Sequence, residues 1–270
     1  TLGIIFNTEN LSWLGLARSV FFGANSPEAI DGGAFTFVFW SIAVEWHFYL
    51  LFPFLILLVK KFDWYALTLL IFLLLSIRYY MMLEGANMLQ VSYWSIMGRL
   101  DQFLIGMLAG LFYLRYFDES KKFDVLALLG LLLVVTALYV FNQLGGNGSN
   151  YGKWAMWPTI EASCWAIFVI GYLSFSRCFP AWLGKLLVAL GTVSYSVYLV
   201  HYVVLDYLMG RDWAVWLHIA DPFGTALLNT TFIIMPLVVL ISTATYWIIE
   251  RPFLVRRRTY MAQAHADAQA

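Results

Sequence analysis

The sequence predicts an all-α, polytopic transmembrane helix bundle, and three observations carry that prediction. Hydrophobic residues make up 62% of the 270 and charged residues only 12%, where a soluble domain carries about 25% charged residues. The mean hydropathy is +0.76. Seven long apolar segments run through the chain, each near the roughly 20 residues that a helix needs to cross about 30 Å of hydrocarbon. Too many successive runs lack a polar face for a water-soluble bundle. The net charge is zero and the charges sit in short clusters, which excludes a basic nucleic-acid surface.

The spans fall, in order, at 35–59, 64–83, 100–117, 123–141, 155–176, 185–208 and 225–249. The first follows a turn-rich stretch, Asn25-Ser26-Pro27 with Asp31-Gly32-Gly33, and ends at Lys60-Lys61. Arg99 and Asp101 open the third. The run Gly145-Gly146-Asn147-Gly148-Ser149-Asn150 separates the fourth from the fifth. Trp157-Pro158 starts the fifth, with Glu161 in its first turn complementing the helix dipole. Glu250, ahead of Arg251-Pro252, ends the seventh as an interfacial stop and ion pair. Residues 1–34 are expected to be a helix remnant with an outer loop, 35–254 the bundle, and 255–270 a basic and polar cytoplasmic tail. The chain shows no signal peptide and no initiator Met, so the expectation is a piece of a larger protein. Cys164 and Cys178 lie fourteen residues apart, about 20 Å along one helix, too far for a disulfide; no metal-ligand pattern is present.

Lys and Arg placement orients the bundle. With the C-terminus cytoplasmic, eleven basic residues fall on inner loops and four (Arg78, Arg99, Lys153 and Arg211) on the outer side, with Arg18 unassigned. Trp154, Trp157, Trp213 and Trp216 then fit an outer aromatic belt.

Ionisable groups at membrane depth are costly and usually functional. Glu45 lies about 15 Å from the start of its span, and Tyr49, one turn on, shares its face. His47 is two positions along, about 200° round the helix, and points elsewhere. Arg99 at a helix N-terminus wants an anion: Glu45, Asp101 or a bound ligand. Asp101 itself suits the N-terminal dipole. His201, with Tyr198 one turn before it and Ser194 one turn earlier, reaches the same outer half. Glu45, Arg99 and His201 are thus expected to meet in one polar chamber. The plainer readings stand beside these: Glu45 tying two helices together, Arg99 snorkelling to the interface, His201 a satisfied core histidine.

Trp40-Ser41-Ile42-Ala43-Val44-Glu45 with Phe48-Tyr49-Leu50-Leu51-Phe52-Pro53 resembles the signature of the acyltransferase-3 family of membrane acyltransferases. Arg99-Leu100-Asp101-Gln102-Phe103 with Gly106 matches a second block. Gly191 with Ser194-Tyr195-Ser196-Val197-Tyr198-Leu199 and His201 matches a third, and Glu250-Arg251-Pro252-Phe253 the last. The resemblance implies a ten-helix bundle in the bacterial inner membrane, of which this chain holds the last seven helices. It implies O-acetylation: transfer of an acyl group, often acetyl, from acyl-CoA to a hydroxyl of a glycan or glycolipid such as lipopolysaccharide or another polysaccharide. It also implies a catalytic histidine in a first span that this chain lacks, so the fragment is expected to be inactive alone. Trp46 stands where many members carry Glu.

On that resemblance Glu45, Arg99 and His201 are the catalytic candidates, and Tyr49, Tyr198, Ser194, Asp101 and His47 the substrate-binding ones. Acyl-CoA is the donor rather than a bound cofactor, and no metal is expected. Membrane lipids and the acceptor are the partners. The rival reading, from a different class, is a transporter or flippase using the same cavity without chemistry. It would call for Gly/Pro-broken helices in symmetric pairs, a pattern the sequence does not show.

Overall fold

The computed structural model describes residues 36–116, 124–146, 151–209, 216–219 and 221–256. The described residues are helical, with no strand. The expected remnant at 1–34 with Arg18, Arg211, Trp213 and the tail beyond Arg256 lie outside them.

The helices are α1 (Thr36–Phe62), α2 (Trp64–Leu83), the short α3 (Met88–Trp94), α4 (Ile96–Tyr116), α5 (Asp124–Gln143), α6 (Trp157–Phe175) and α7 (Ala181–Met209). A continuous helical span, α8 (Pro222–Arg256), is the last among the described residues. Among the described residues six helices are long and apolar enough to cross a membrane. The expected third span forms the 21-residue α4, which is less apolar because it carries Arg99, Asp101 and Arg115.

Contacts divide the described residues into two compact units: 40–180, and 36–39 with 181–256. In the first, Phe48 and Leu55 of α1, Leu67 and Leu74 of α2, and Leu104 of α4 form the buried core. Phe48 stacks on Phe103 at 4.1 Å between ring centroids. Lipid tails are as apolar as Leu, so close packing rather than water exclusion holds such helices together. Gly130 and Gly171 supply that closeness between α5 and α6. A Cβ at Gly130 would lie inside the backbone of Phe168, and one at Gly171 inside that of Ala127. Trp154 and Trp157 are buried, with Trp154 beside Met88 and edge-on to Tyr93 and Phe141. They plug the helix ends and do not form the expected aromatic belt; Trp216 is exposed.

The connections obey local chemistry. α5 ends at Gly145 (φ 89°) and Gly146 (φ 55°), left-handed positions that glycine adopts without a Cβ penalty. Lys153 Nζ donates to the carbonyl of Leu144 at 3.0 Å and also to that of Gly146. Asp63, between α1 and α2, holds φ 58° and ψ −151°, a region that side chains rarely occupy. Its carboxylate accepts from the Trp64 amide at 2.7 Å and from Arg115 of α4.

In the second unit Val204 and Leu208 of α7 pack on Ile234 and Val238 of α8. α8 contains π-helical turns at Thr230–Ile234 and Tyr246–Glu250. Pro236 and Pro252 follow these turns and cannot donate to the helical ladder; the wider turns absorb the defect. The buried Asn229 ties residues 216–219 to the start of α8: its Oδ1 accepts from the Trp216 and Leu217 amides, and its Nδ2 donates to the Leu217 carbonyl.

Two outcomes follow from this packing. Gly171→Ala pushes α5 and α6 apart and costs about 1–3 kcal/mol. Gly110→Ala, whose Cβ meets no atom within 4 Å, is neutral or gains roughly 0.5–1 kcal/mol of helix propensity. Thermal unfolding in detergent distinguishes the two. The bond from Arg115 holds the Asp63 carboxyl below the usual carboxylate range. Its contribution is therefore full above the unfolded-state pKa and is lost as pH falls through the lower folded-state value. Asp63→Asn is expected to lower the melting temperature at neutral pH and to remove that part of its fall on acidification.

Candidate functional site

The interior of the first unit is organised by charges near one end of its helices. Arg78, near the end of α2, and Asp101, in the second turn of α4, are 1% and 0% exposed and pair at 2.6 Å. Arg78 also donates to the Gly98 carbonyl at 2.9 Å and to Thr159 Oγ1 of α6 at 2.7 Å, and the Thr159 hydroxyl donates to Asp101. Three helices are thereby joined through one buried guanidinium. Arg78, counted among the outer-side charges, is buried inside the first unit. One expectation is corrected here. The Asp101 carboxylate is fully buried against Arg78 and Thr159, so it holds the helices and does not face a substrate.

With Asp101 occupied, Arg99 takes a different partner set. Its Nε donates to the Tyr93 carbonyl and its Nη1 to Gln102 Oε1, both at 3.1 Å. The guanidinium also lies 4.5 Å from the Tyr93 ring centroid and 5.6 Å from that of Trp40, contacts that stabilise a desolvated cation. Gln102 is braced in turn, donating to the Pro158 carbonyl at 3.2 Å. Among the described residues no carboxylate lies within ion-pair distance of Arg99. The expected Arg99–Glu45 and Arg99–Asp101 pairs are both absent there. The third expected partner, a ligand, is the one the geometry leaves open.

Arg99 lines a cavity of ≈ 570 Å³ between α4 and α6. Arg99, Gln102 and Glu161 make its polar end. Gly106, Gly110, Ala166 and Ile170 are among the residues that make the remainder apolar. Glu161 was read from the sequence as dipole complementation, yet it faces this cavity. A readable signal existed: Glu161, Trp165 and Val169 follow one helical stripe, interleaved with small Ala162 and Ala166.

Glu45 is half-buried on α1, and its Oε1 accepts the hydroxyl of Tyr49, the pairing that their spacing predicts. His47 is also half-buried on α1. In the second unit, His201 Nδ1 lies 2.6 Å from the Tyr198 carbonyl. A carbonyl only accepts, so Nδ1 is the donor in this contact, and Nε2 is the ring nitrogen available to take a proton. Tyr198 donates to the Val38 carbonyl at 3.3 Å. The Ser194 hydroxyl donates to the Gly191 carbonyl of its own helix at 2.8 Å. Glu250 accepts from Ser196 Oγ at 2.9 Å, and among the described residues it forms no ion pair, contrary to expectation. Glu45 and Arg99 belong to the first unit and His201 to the second, and their meeting in one chamber stays an expectation. No group of three or more His, Cys, Asp or Glu able to hold a metal occurs among the described residues.

An all-helical chain with six membrane-length apolar helices among its described residues belongs to the class of multi-pass membrane proteins. The family model described as an acyltransferase domain, acyltransferase family 3, matches residues 2–250. The chain therefore belongs to the acyltransferase-3 family and is a multi-pass membrane acyltransferase. No curated protein and no solved structure matches it significantly.

The buried pair gives a sharp expectation. Asp101→Ala leaves Arg78 uncompensated and costs about 3–5 kcal/mol, whereas Arg78→Met with Asp101→Leu recovers most of that loss. Unfolding of the two variants in the same detergent measures the difference.

Proposed function

We propose that this acyltransferase moves an acyl group, most simply acetyl, from acyl-CoA to a hydroxyl of a cell-surface glycan or glycolipid. Lys and Arg placement supports a plasma-membrane orientation with the C-terminus cytoplasmic. The observation that carries the reading is Arg99, an interior guanidinium oriented by Tyr93, Gln102 and two rings, with Nη2 left without a partner among the described residues. Fixed donors aimed at a developing negative charge are the largest single contribution in many acyl transfers.

In the transfer a base takes the acceptor's hydroxyl proton as its oxygen bonds to the thioester carbonyl carbon. The resulting oxyanion collapses, the C–S bond breaks, and the thiolate leaves with the proton returned by the base. His201 Nε2 is the base candidate on this chain. Arg99 is assigned to the oxyanion or to an anionic substrate group. Glu45, with its Tyr49 partner, is assigned to orienting and charge-balancing the proton-carrying group.

The test is the protein with the preceding family spans restored, in proteoliposomes, given radiolabelled acetyl-CoA and a crude glycan. Label is expected on the glycan, in a base-labile ester, and is abolished by Glu45→Ala. Arg99→Ala is expected to lower kcat/KM by about 10²–10³-fold, and His201→Ala by about 10²–10⁴-fold. Acceptor that crosses the bilayer unmodified, with no label incorporated, contradicts the reading and favours transport.

A further inference from the structure

The cavity between α4 and α6 has a direction. Arg99, in the first turn of α4, and Glu161, one turn into α6, both stand at its polar end. α5 runs back between these two helices, so they run parallel, and Thr159 beside Asp101 confirms that their starts adjoin. Tyr113 and Leu173 mark the far end. The fourteen residues from Arg99 to Tyr113 cover about 21 Å. Along that length the side-chain hydrogen-bonding groups of the wall before Tyr113 reduce to the Trp165 indole N–H near the polar end, and a Cβ at Gly106 or Gly110 would meet no atom within 4 Å.

A slot of this kind discriminates between occupants. The pantetheine arm of coenzyme A is long enough, but its two amides would lie against Gly, Ala, Val and Ile, each unpaired amide costing several kcal/mol. A hydrocarbon chain loses nothing there. Bilayer lipid is equally apolar, so the slot alone gives no selectivity; the polar end must supply it. Arg99 and Glu161 both face the cavity, and Glu161 forms no hydrogen bond or ion pair with any described residue. A fatty-acid carboxylate drawn to Arg99 is repelled by Glu161. A neutral hydroxylated head accepts from the guanidinium and donates to the carboxylate together, with the Trp165 ring one turn below Glu161 to pack against its C–H face.

From this geometry we infer that the α4–α6 cavity binds a lipid-borne polyhydroxy head group, its hydroxyls on Arg99 and Glu161 and its single hydrocarbon chain along Gly106 and Gly110 towards Tyr113. The acceptor of the transfer is then presented from the membrane rather than from water, a role that rests on the acyltransferase reading; the binding itself does not.

The test reads binding, not turnover. The protein is placed in nanodiscs of phosphatidylethanolamine and phosphatidylglycerol and exposed to an alkyl glucoside with a diazirine in its chain. Photolabel is expected on the segments 106–113 and 162–173, competed by unlabelled alkyl glucoside at least about tenfold better than by a fatty acid of equal length or by free glucose. Gly110→Leu is expected to lower labelling of those segments by about tenfold with an unchanged melting temperature. Glu161→Gln is expected to erase the preference over the fatty acid. Even labelling of every lipid-facing helix, or labelling untouched by Gly110→Leu, means an adventitious lipid only and overturns the inference. Equal competition by free glucose means a head-group site without a chain slot and also overturns it. Intact labelling in a protein that transfers no acyl group defeats the proposed function and leaves this site standing; acyl transfer without site labelling does the reverse.

Discussion

One buried guanidinium sets the arrangement of the first unit. A charge inside a bilayer protein is tolerated only where it is paired and its remaining donors are satisfied. Arg78 meets most of that demand through its two terminal nitrogens, with Asp101 of α4, Thr159 of α6 and the Gly98 carbonyl, while its Nε is buried with no hydrogen-bond partner among the described residues. Because the three partners sit on two other helices, the bond geometry fixes the starts of α4 and α6 side by side. That fixing has a further consequence: Asp101 is consumed, and Arg99, two residues away, cannot borrow it.

Arg99 is thereby left as a cation with neutral supports. Tyr93, Gln102 and Trp40 orient it without neutralising it. Such a group is expensive unless water or a ligand reaches it, and the cavity between α4 and α6 provides the access. The same close approach that Gly130 and Gly171 enforce between α5 and α6 has no counterpart at Gly106 and Gly110, where the helix faces stay open. Packing is tight between α5 and α6 and loose along the α4–α6 cavity.

Most of the architecture was legible in the chain because a membrane-spanning helix is written as about 20 apolar residues in succession. The ends of α2, α5 and α7 fell within a few residues of expectation, and the Glu45–Tyr49 contact followed from a spacing of four. Periodicity carries no information on which helices touch, and the misreadings share that cause. The Arg78–Asp101 pair joins residues 23 apart on different helices, so no local spacing marked Arg78 as buried and paired. Trp154 and Trp157 looked like interface markers, yet the neighbours that bury them, Met88, Tyr93 and Phe141, come from distant segments. Glu161 was assigned to the helix dipole, a local explanation, because the wall opposite it belongs to α4. The two π-helical turns of α8 were foreshadowed by Pro236 and Pro252, but proline alone does not say whether a helix kinks, stops or widens.

The central claim is that the Arg99 end of the cavity is a wet polar chamber and not a lipid-sealed contact. Gln102, which braces Arg99 there, reports on it directly. In a background with Cys164 and Cys178 replaced, Gln102→Cys is reacted with a membrane-impermeant maleimide in sealed proteoliposomes of known orientation. The account predicts reaction from one membrane face only, slowed when a hydroxylated amphiphile is added. A thiol that stays unreactive from both faces, yet reacts once the protein is unfolded, would contradict it.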